Sequence, residues 1–314
     1  MKIQTSNEYS KLRSVIVGSA HHANWPTTDP EFRKMEETTR WKATPVPSGP
    51  VEDSIIEQTE QELEDICNIL VRHGVEVHRP WTIDFQWTDG MYNYCPRDRL
   101  LVIDDKVIDC NMRFPCRKQE IEAYGYLPAE KFVKIDDPKV VFDAANVLRH
   151  NDDLLYLVSD SGNRAGATWL AKQFPDKRVH MLDNIYQGVH IDSTITMLNE
   201  DTVMLNAGRI TGDNLPKLFN DYNIIWVNEK DIAPLGFYKY PYASKWMALN
   251  MLSIDQKTVV VDRDQHTIIR KLEKRNFTVI PSKLTHCRTL GGGFHCCTLD
   301  LWREDEDARP TRNS

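Results

Sequence analysis

The sequence predicts a single α/β domain in which short strand–helix–strand units recur along one continuous chain. Three observations carry that expectation. Brief runs of β-branched and aliphatic residues recur from end to end, segments with helical spacing lie between them, and no Pro-, Gly- or Ser-rich linker divides the chain. At roughly 100–200 residues per domain, the 314 residues suffice for one large domain with a sizeable core.

The strand expectations begin with residues 14–17 (SVIV) and 100–103 (LLVI). They continue at 140–142, 154–158, 179–182, 203–205, 224–227, 259–261 and 278–280, each short and apolar. Helical spacing is clearest over residues 54–72, where Ile56, Leu63, Ile66, Cys67 and Leu70 share one face, glutamates and Gln61 occupy the other, and Gly74 supplies the stop. Further helices are expected at 163–174, 213–219, 244–252 and 267–275. Three strand–helix–strand units follow from this order, over 154–182, 203–227 and 259–280. Two weaker ones precede them, about five in all, sharing a pattern and not a sequence. Residues 24–50, rich in Pro and Thr and poorly periodic, are expected to form an ordered surface excursion. The charged residues 303–314 are expected to fray.

Lys and Arg number 39 against 46 Asp and Glu, a formal charge of −7. That acidic balance, without a basic stretch, argues against nucleic acid as the main partner. No uncharged apolar run approaches the roughly 18 residues of a membrane-spanning helix, so no membrane partner is expected. Residues 1–14 carry charges where a secretory leader has its apolar segment, which points to a cytoplasmic protein. The seven cysteines, Cys67, Cys95, Cys110, Cys116, Cys287, Cys296 and Cys297, include no C-x-x-C pair and read as reduced thiols in that compartment.

The most unusual segment is Leu290-Gly291-Gly292-Gly293-Phe294-His295-Cys296-Cys297. Three consecutive glycines imply a tight turn or a close backbone approach. A phosphate-cradling loop lacks its Gly-Lys-Ser/Thr and its following helix. Zinc finds ligand types in His286, Cys287, His295, Cys296 and Cys297, but adjacent residues of an extended strand face opposite sides and cannot readily both turn to one ion. Structural thiols and a nucleophilic cysteine presented after a glycine turn remain.

A cysteine nucleophile needs a proton-handling partner, usually His with carboxylate support. Residues 141–146 (VFDAAN) set Asp143 directly after a strand-like run, and Val189-His190-Ile191-Asp192 sets a His and an Asp two apart, on one face if extended. Tyr94-Cys95-Pro96-Arg97-Asp98 precedes the strand at 100–103. Taken singly these are ordinary features: a turn or cap aspartate, a packing histidine, a surface turn with an Arg–Asp pair. Together, Asp98, Asp143, His190, Asp192 and Cys296 combine several carboxylates with a soft nucleophile. Carboxylates repel a developing oxyanion and keep a thiol protonated, which suits acyl transfer poorly and a cationic electrophile well.

Five segments carry a family resemblance: CPRD around Asp98, FDAANVLR around Asp143, HID at His190 to Asp192, SKWMALN from Ser244, and LGGGFHC ending in Cys296. In order, and over about residues 10–302, they resemble the amidinotransferases typified by the glycine and inosamine-phosphate enzymes. SVIVG near the start and NILVRHGVEVHRP are similar to the family as well. The resemblance implies a five-bladed α/β propeller of ββαβ-type modules, with a catalytic domain over residues 1–302 ahead of the 303–314 tail. It implies an activity in which a cysteine takes the amidino group of L-arginine, releases ornithine and passes the group to an amine, by default glycine, giving guanidinoacetate. By motif position Cys296 resembles the nucleophile, His190 the general acid/base and Asp143 its carboxylate partner. Asp98 and Asp192 match the guanidinium-holding carboxylates, and Arg209 and Ser244 the residues that bind the donor's α-carboxylate. The family's substrates are small molecules, no metal or organic cofactor is implied, and a homodimer is compatible with it.

The sequence departs from the family pattern where Asn146 replaces a second Asp and Ala207-Gly208 replaces Pro-Asp before Arg209. Cys297 stands where the glycine enzymes have Trp. The resemblance therefore specifies the donor more tightly than the acceptor. Two other readings keep the same residues: a guanidine hydrolase with water as acceptor, and an arginine-sensing binding protein. A transferase must hold its amidino-cysteine dry until the amine arrives, and residues 183–189 are the lid candidate.

Overall fold

The computed structural model describes residues 1–39 and 46–304. Its strands, in chain order, are β1 (Lys11–Val17), β2 (Asn24–Trp25), β3 (Gly49–Pro50), β4 (Glu76–His78), β5 (Leu100–Ile103), β6 (Lys106–Asp109), β7 (Phe132–Lys134), β8 (Val147–His150), β9 (Asp153–Leu157), β10 (Arg178–Leu182), β11 (Ile195–Met197), β12 (Thr202–Asn206), β13 (Asn223–Val227), β14 (Leu252–Ser253), β15 (Thr258–Asp262), β16 (Thr278–Ser282) and β17 (Thr298–Glu304). Among the described residues they form five three-stranded sheets and the two-stranded ribbon β2–β3. The sheets repeat one plan. A first strand pairs antiparallel with a second, which pairs parallel with a third, as in β5–β6–β7, β8–β9–β10, β11–β12–β13 and β14–β15–β16. The fifth sheet draws on both ends of the chain, β17 running antiparallel to β1 and β1 parallel to β4.

Period-two alternation explains why these strands read as unbroken apolar runs: both faces are buried. In β5, Leu100 and Val102 enter a core with Ile16 of β1 and Leu299 of β17, while Leu101 and Ile103 enter the next, with Val147 of β8 and Tyr156 of β9. Leu155 and Leu157 of β9 pass to a third core shared with β11 and β12. Met204 of β12 enters the largest, which also takes Val259 of β15 and Val15 of β1. Each core joins consecutive sheets, and the largest joins the later sheets to the first.

The helix expected over 54–72 spans Asp53–Arg72, buries Ile56, Leu63, Ile66 and Leu70, and is followed by Gly74 at φ +76. Those expected at 163–174 and 267–275 are Arg164–Gln173 and His266–Glu273. Residues 213–219 and 244–252 form only the short 3₁₀ turns Lys217–Phe219 and Lys245–Leu249. Pro216 lacks a backbone donor in the first, and in the second the chain leaves helical geometry at Asn250, ψ 74, to reach another turn. Residues 140–142 are not a strand: Phe142 makes a single bridge to Gly162, and its ring fills the core instead. The 24–50 excursion holds the β2–β3 ribbon and a helix, Pro30–Thr39, with 40–45 outside the described residues. Of the residues expected to fray from 303, Arg303 and Glu304 instead belong to β17, and Arg303 is buried in an ion pair; residues 305–314 lie outside the described residues. No described helix is long and apolar enough to cross a membrane.

The sheets converge on buried charge. Arg149 in β8 donates to both oxygens of Glu8 at 2.8 and 2.7 Å and to Asp300 in β17 at 2.9 Å. Asp300 also accepts from Arg97 at 2.6 Å, just ahead of β5, and from Arg303 at 2.7 Å, which in turn donates to the Ser253 carbonyl of β14. Removing one member strands the others in a low-dielectric interior. Asp300→Ala is expected to cost roughly 3–5 kcal/mol of folding stability, read from urea unfolding. A loss below about 1 kcal/mol would show that the cluster does not hold the sheets together.

Candidate active site

Five turns, each leading into the first strand of a sheet, carry the candidate residues. Pro96–Arg99 precedes β5 and holds Asp98; Ala144–Asn146, started by Asp143, precedes β8. Residues 190–194 precede β11 and hold His190 and Asp192; Asn250 follows the turn Lys245–Leu249 ahead of β14. Cys296 lies in the turn ahead of β17, closed by the Cys297 N–H to the Gly293 carbonyl at 2.9 Å. The repeat therefore delivers at least one chemical group per sheet to one place, and two from the turn ahead of β11.

Local geometry differs from the sequence expectation in three respects. Asp143 starts a helical turn, and no strand precedes it at 140–142. His190 is not extended but left-handed at φ +63, an uncommon conformation for a residue with a Cβ. Asp98 is buried, and its ion-pair partner is Arg117 at 2.8 Å, while Arg97 goes to Glu8 and Asp300.

His190 links two aspartates. Its Nε2 meets Asp143 Oδ2 at 3.0 Å, and its Nδ1 lies 3.6 Å from Asp98 Oδ1. Burial works against the charged ring, but Asp98, the hydrogen bond to Asp143, and Asp192 outweigh it and raise the pKa to about 9. At neutral pH His190 is an imidazolium.

The other carboxylates are held by one oxygen each. Asp98 Oδ2 accepts from Arg117, and Asp192 Oδ2 accepts from His295 Nδ1 at 2.8 Å and from the Cys296 thiol at 3.2 Å. Asp98 Oδ1 and Asp192 Oδ1 are buried without a hydrogen-bond partner. Burial raises the pKa of Asp98 against the pull of His190 and Arg117. Burial also opposes charge on Asp192, but His295 and His190 prevail and bring it to about 2.

The Cys296 thiol is 1% exposed. A hydrogen bond with Cys95, then burial, then Asp192 and Asp98 push its pKa well above the usual thiol range. Asn250 clamps it. The Asn250 Oδ1 accepts the N–H groups of His295 and Cys296 at 3.0 Å each, and Nδ2 donates to Sγ at 3.1 Å. This contact accounts for the glycines. A Cβ at Gly293 would lie 2.7 Å from Asn250 Oδ1, and one at Gly292 would lie 2.4 Å from Cys95 Sγ and 3.0 Å from Cys296 Cβ. Cys297 is fully buried, its thiol against the Phe294 carbonyl at 3.6 Å, on the core side of the turn.

A cavity of about 200 Å³ is walled by Asp98, Arg117, Asp143, His190 and Ser244, with Tyr186 and Val189 from the 183–189 segment. Cys296 and Asp192 are buried and do not line it; Asp192 borders a second, much smaller cavity with Glu8 and His295. Arg209 lines an adjoining cleft with Tyr186, stacked 3.5 Å from the Tyr186 ring centroid and donating to Ser193 Oγ at 2.9 Å and Thr194 Oγ1 at 2.6 Å. Ser244 accepts the Trp246 N–H at 3.3 Å. The structure thus brings Asp98, Asp143, His190, Asp192, Ser244 and Cys296 together and sets Arg209 beside them. Sequence reasoning missed Asn250, Arg117 and Glu120, and weighed His295 only as a zinc ligand type. Asn250 ends SKWMALN and His295 adjoins Cys296, signals that were available; nothing local marks Arg117 and Glu120. Among the described residues no cluster of His, Cys, Asp and Glu is arranged to hold a metal ion.

No family model matches the sequence. Individual proteins do. The chain is 37% identical over 338 aligned residues to inosamine-phosphate amidinotransferase 1 of Streptomyces griseus, covering 96% of this chain and 97% of the relative. It is 28% identical to mitochondrial glycine amidinotransferase of Xenopus tropicalis, covering 95% and 82%. The solved structure of the Streptomyces griseus inosamine-phosphate enzyme superposes with a TM-score of 0.88 at 34% identity, over 96% of this chain and 97% of that one. An amidinotransferase of the saxitoxin biosynthetic pathway from Microseira wollei gives 0.86 at 25% identity, over 98% and 99%.

Two outcomes test this electrostatic picture. His190 is expected to titrate by NMR at about 9, and Asp143→Asn to bring it down toward 6.5; an unmoved titration contradicts the assignment. Because the folded value lies above 6.5, His190's contribution to stability is complete below that pH and lost as pH rises through about 9. Alkylation of Cys296 by iodoacetamide, followed on its own peptide, should still be accelerating above about pH 9. A rate already flat at neutral pH would mean a preformed thiolate.

Proposed function

The chain belongs to the amidinotransferase family, and from that membership we propose that it moves the amidino group of L-arginine to an amine through a covalent amidino-cysteine at Cys296, releasing ornithine. The pair of buried oxygens that accept no hydrogen bond, Asp98 Oδ1 and Asp192 Oδ1, carries the reading, the first of them lying 3.6 Å from His190 Nδ1. Buried acceptors left unpaired are costly and rare. A guanidinium, planar, cationic and bearing only donors, is the group that satisfies both, and charge-assisted bonds then fix its carbon for attack.

The steps balance with the groups present. As the cation binds, the Cys296 thiol loses its proton to solvent, because the guanidinium offsets the carboxylates that disfavoured a thiolate. The sulfur forms a bond to the guanidinium carbon, and the His190 imidazolium protonates the nitrogen bearing the ornithine chain as its bond to that carbon breaks. A cationic amidino-cysteine and a neutral His190 remain. An incoming ammonium gives one proton to His190, attacks the carbon as the free amine and passes a second proton to the departing sulfur, so that the product leaves as a guanidinium and Cys296 returns to its thiol. Asp143 holds the ring throughout, and Arg209 and Ser244 receive the donor's α-carboxylate. The 183–189 segment, tied down by the Arg164–Asp183 ion pair and the Asp160 N–H to the Gln187 carbonyl, keeps water from the intermediate. The five sheets are read as blades of a propeller, supported by cores that join each sheet to the next and the last to the first.

Glycine is the default acceptor. A phosphorylated aminocyclitol is a second reading, favoured by the 37% identity to the inosamine-phosphate enzyme against 28% to the glycine enzyme. Incubation with arginine alone, with glycine, and with aminocyclitol phosphates separates the cases. Ornithine formed only with an amine present is the expected result; citrulline or urea from arginine alone means hydrolysis, and no turnover with any amine means sensing. Cys296→Ala should abolish product while retaining arginine binding, and activity persisting in that variant rejects the covalent route. Turnover should decline as pH rises through about 9, where His190 loses its acid form.

A further inference from the structure

We infer that Arg117, clamped by Glu120, is a positioning residue that occupies one oxygen of Asp98 and thereby dedicates the other to the guanidinium of the substrate. Arg117 Nη1 donates to Asp98 Oδ2 at 2.8 Å, while Nε and Nη2 form a two-point fork on Glu120 at 2.7 and 2.9 Å. All three side chains are nearly inaccessible, at 1–3% exposure, and Arg117 borders the catalytic cavity. Its planar fork cannot rotate toward the cavity without breaking both Glu120 bonds, so it holds Asp98 in one orientation. The substrate head and Arg117 carry the same chemical group. Asp98 therefore sits between a resident guanidinium and a transient one, with Oδ1 left for the latter.

The arrangement recurs on the second carboxylate. Asp192 Oδ2 is taken by His295 Nδ1 at 2.8 Å, His295 Nε2 is backed by Glu8 at 3.2 Å, and Asp192 Oδ1 is again unpartnered. A carboxylate, a basic side chain and a glutamate behind it appear on two unrelated segments, each leaving one buried oxygen without a hydrogen bond. Burial alone drives Asp98 toward its neutral form, in which it binds a cation weakly, and Arg117 opposes that drift.

The inference rests on the arginine-donor reading, and the test separates the two. Binding is measured by calorimetry in the Cys296→Ala background with L-arginine and with L-citrulline, its uncharged analogue. Arg117→Gln is expected to weaken arginine at least about tenfold and citrulline less than about threefold, while Arg117→Lys, which keeps the charge but not the fork, weakens arginine by less than the glutamine variant does. Equal losses for the two ligands, no loss for arginine, or a lysine variant as weak as the glutamine one would overturn the assignment. Should Arg117→Gln fail to fold by thermal melting, Glu120→Gln reads the same contrast: a loss of about threefold for arginine with citrulline unchanged supports it, and parallel losses or none refute it. Arginine failing to bind Cys296→Ala itself sinks the donor reading instead.

Discussion

Three guanidiniums and the carboxylates they face, enclosed where the sheets meet, constrain everything else in the molecule. Arg97, Arg149 and Arg303 meet Glu8 and Asp300 directly, and His295 extends the cluster to Asp192. Each sheet contributes: Arg97 ahead of β5, Arg149 within β8, Asp192 ahead of β11, the Ser253 carbonyl of β14, and Asp300 and Arg303 of β17. Glu8 and Asp300 are both held below the ordinary carboxylate range by these cations, against the effect of burial. A buried charge pair adds little net stability over apolar packing, but a charge without its partner is strongly disfavoured. The cluster therefore acts as a check on assembly: partners 141 and 203 residues apart, Glu8 with Arg149 and Arg97 with Asp300, must all arrive.

The same cluster sets the chemistry. His295 passes its influence to Asp192, which touches the Cys296 thiol, and the turn that holds Cys296 begins the strand carrying Asp300 and Arg303. The result is a site tuned to be incomplete. Two carboxylate oxygens lack partners, the thiol is kept protonated, and the imidazole is kept charged. In the proposed reaction a guanidinium, with N–H donors on both sides, supplies the first and offsets the second, so that reactivity would arise with the substrate and not before it. A thiol that is buried and protonated in the free protein is also protected from oxidation, which acts on the thiolate.

The legible parts of the sequence were those with a local cause. Two-sided burial turns β5, β9, β12 and β15 into apolar runs, and all four were found, as were the helix at Asp53–Arg72 with its one-sided face and the glycine that follows it. β8 escaped because Arg149 and His150 look like surface residues; only the distant Glu8 makes a buried arginine there intelligible. β4 and β7 are three residues each, too short for a period. At the site, the residues with distinctive chemistry in recurring motifs were readable: Asp98, Asp143, His190, Asp192 and Cys296. Asn250 and His295 gain their roles across separations of 46 and 103 residues, and Arg117 through a fold of the chain that no local window contains.

In the proposed reaction one sulfur accepts the amidino carbon while acidic side chains grip its nitrogens. Mass spectrometry of the intact protein, quenched on the millisecond-to-second scale with arginine present and the acceptor withheld, tests it directly. A population heavier by one amidino group is expected, localised by digestion to the peptide containing Cys296 and absent from Cys296→Ala. Arginine consumed at the normal rate with an acceptor, while no such adduct accumulates without one at any sampling time, would contradict it.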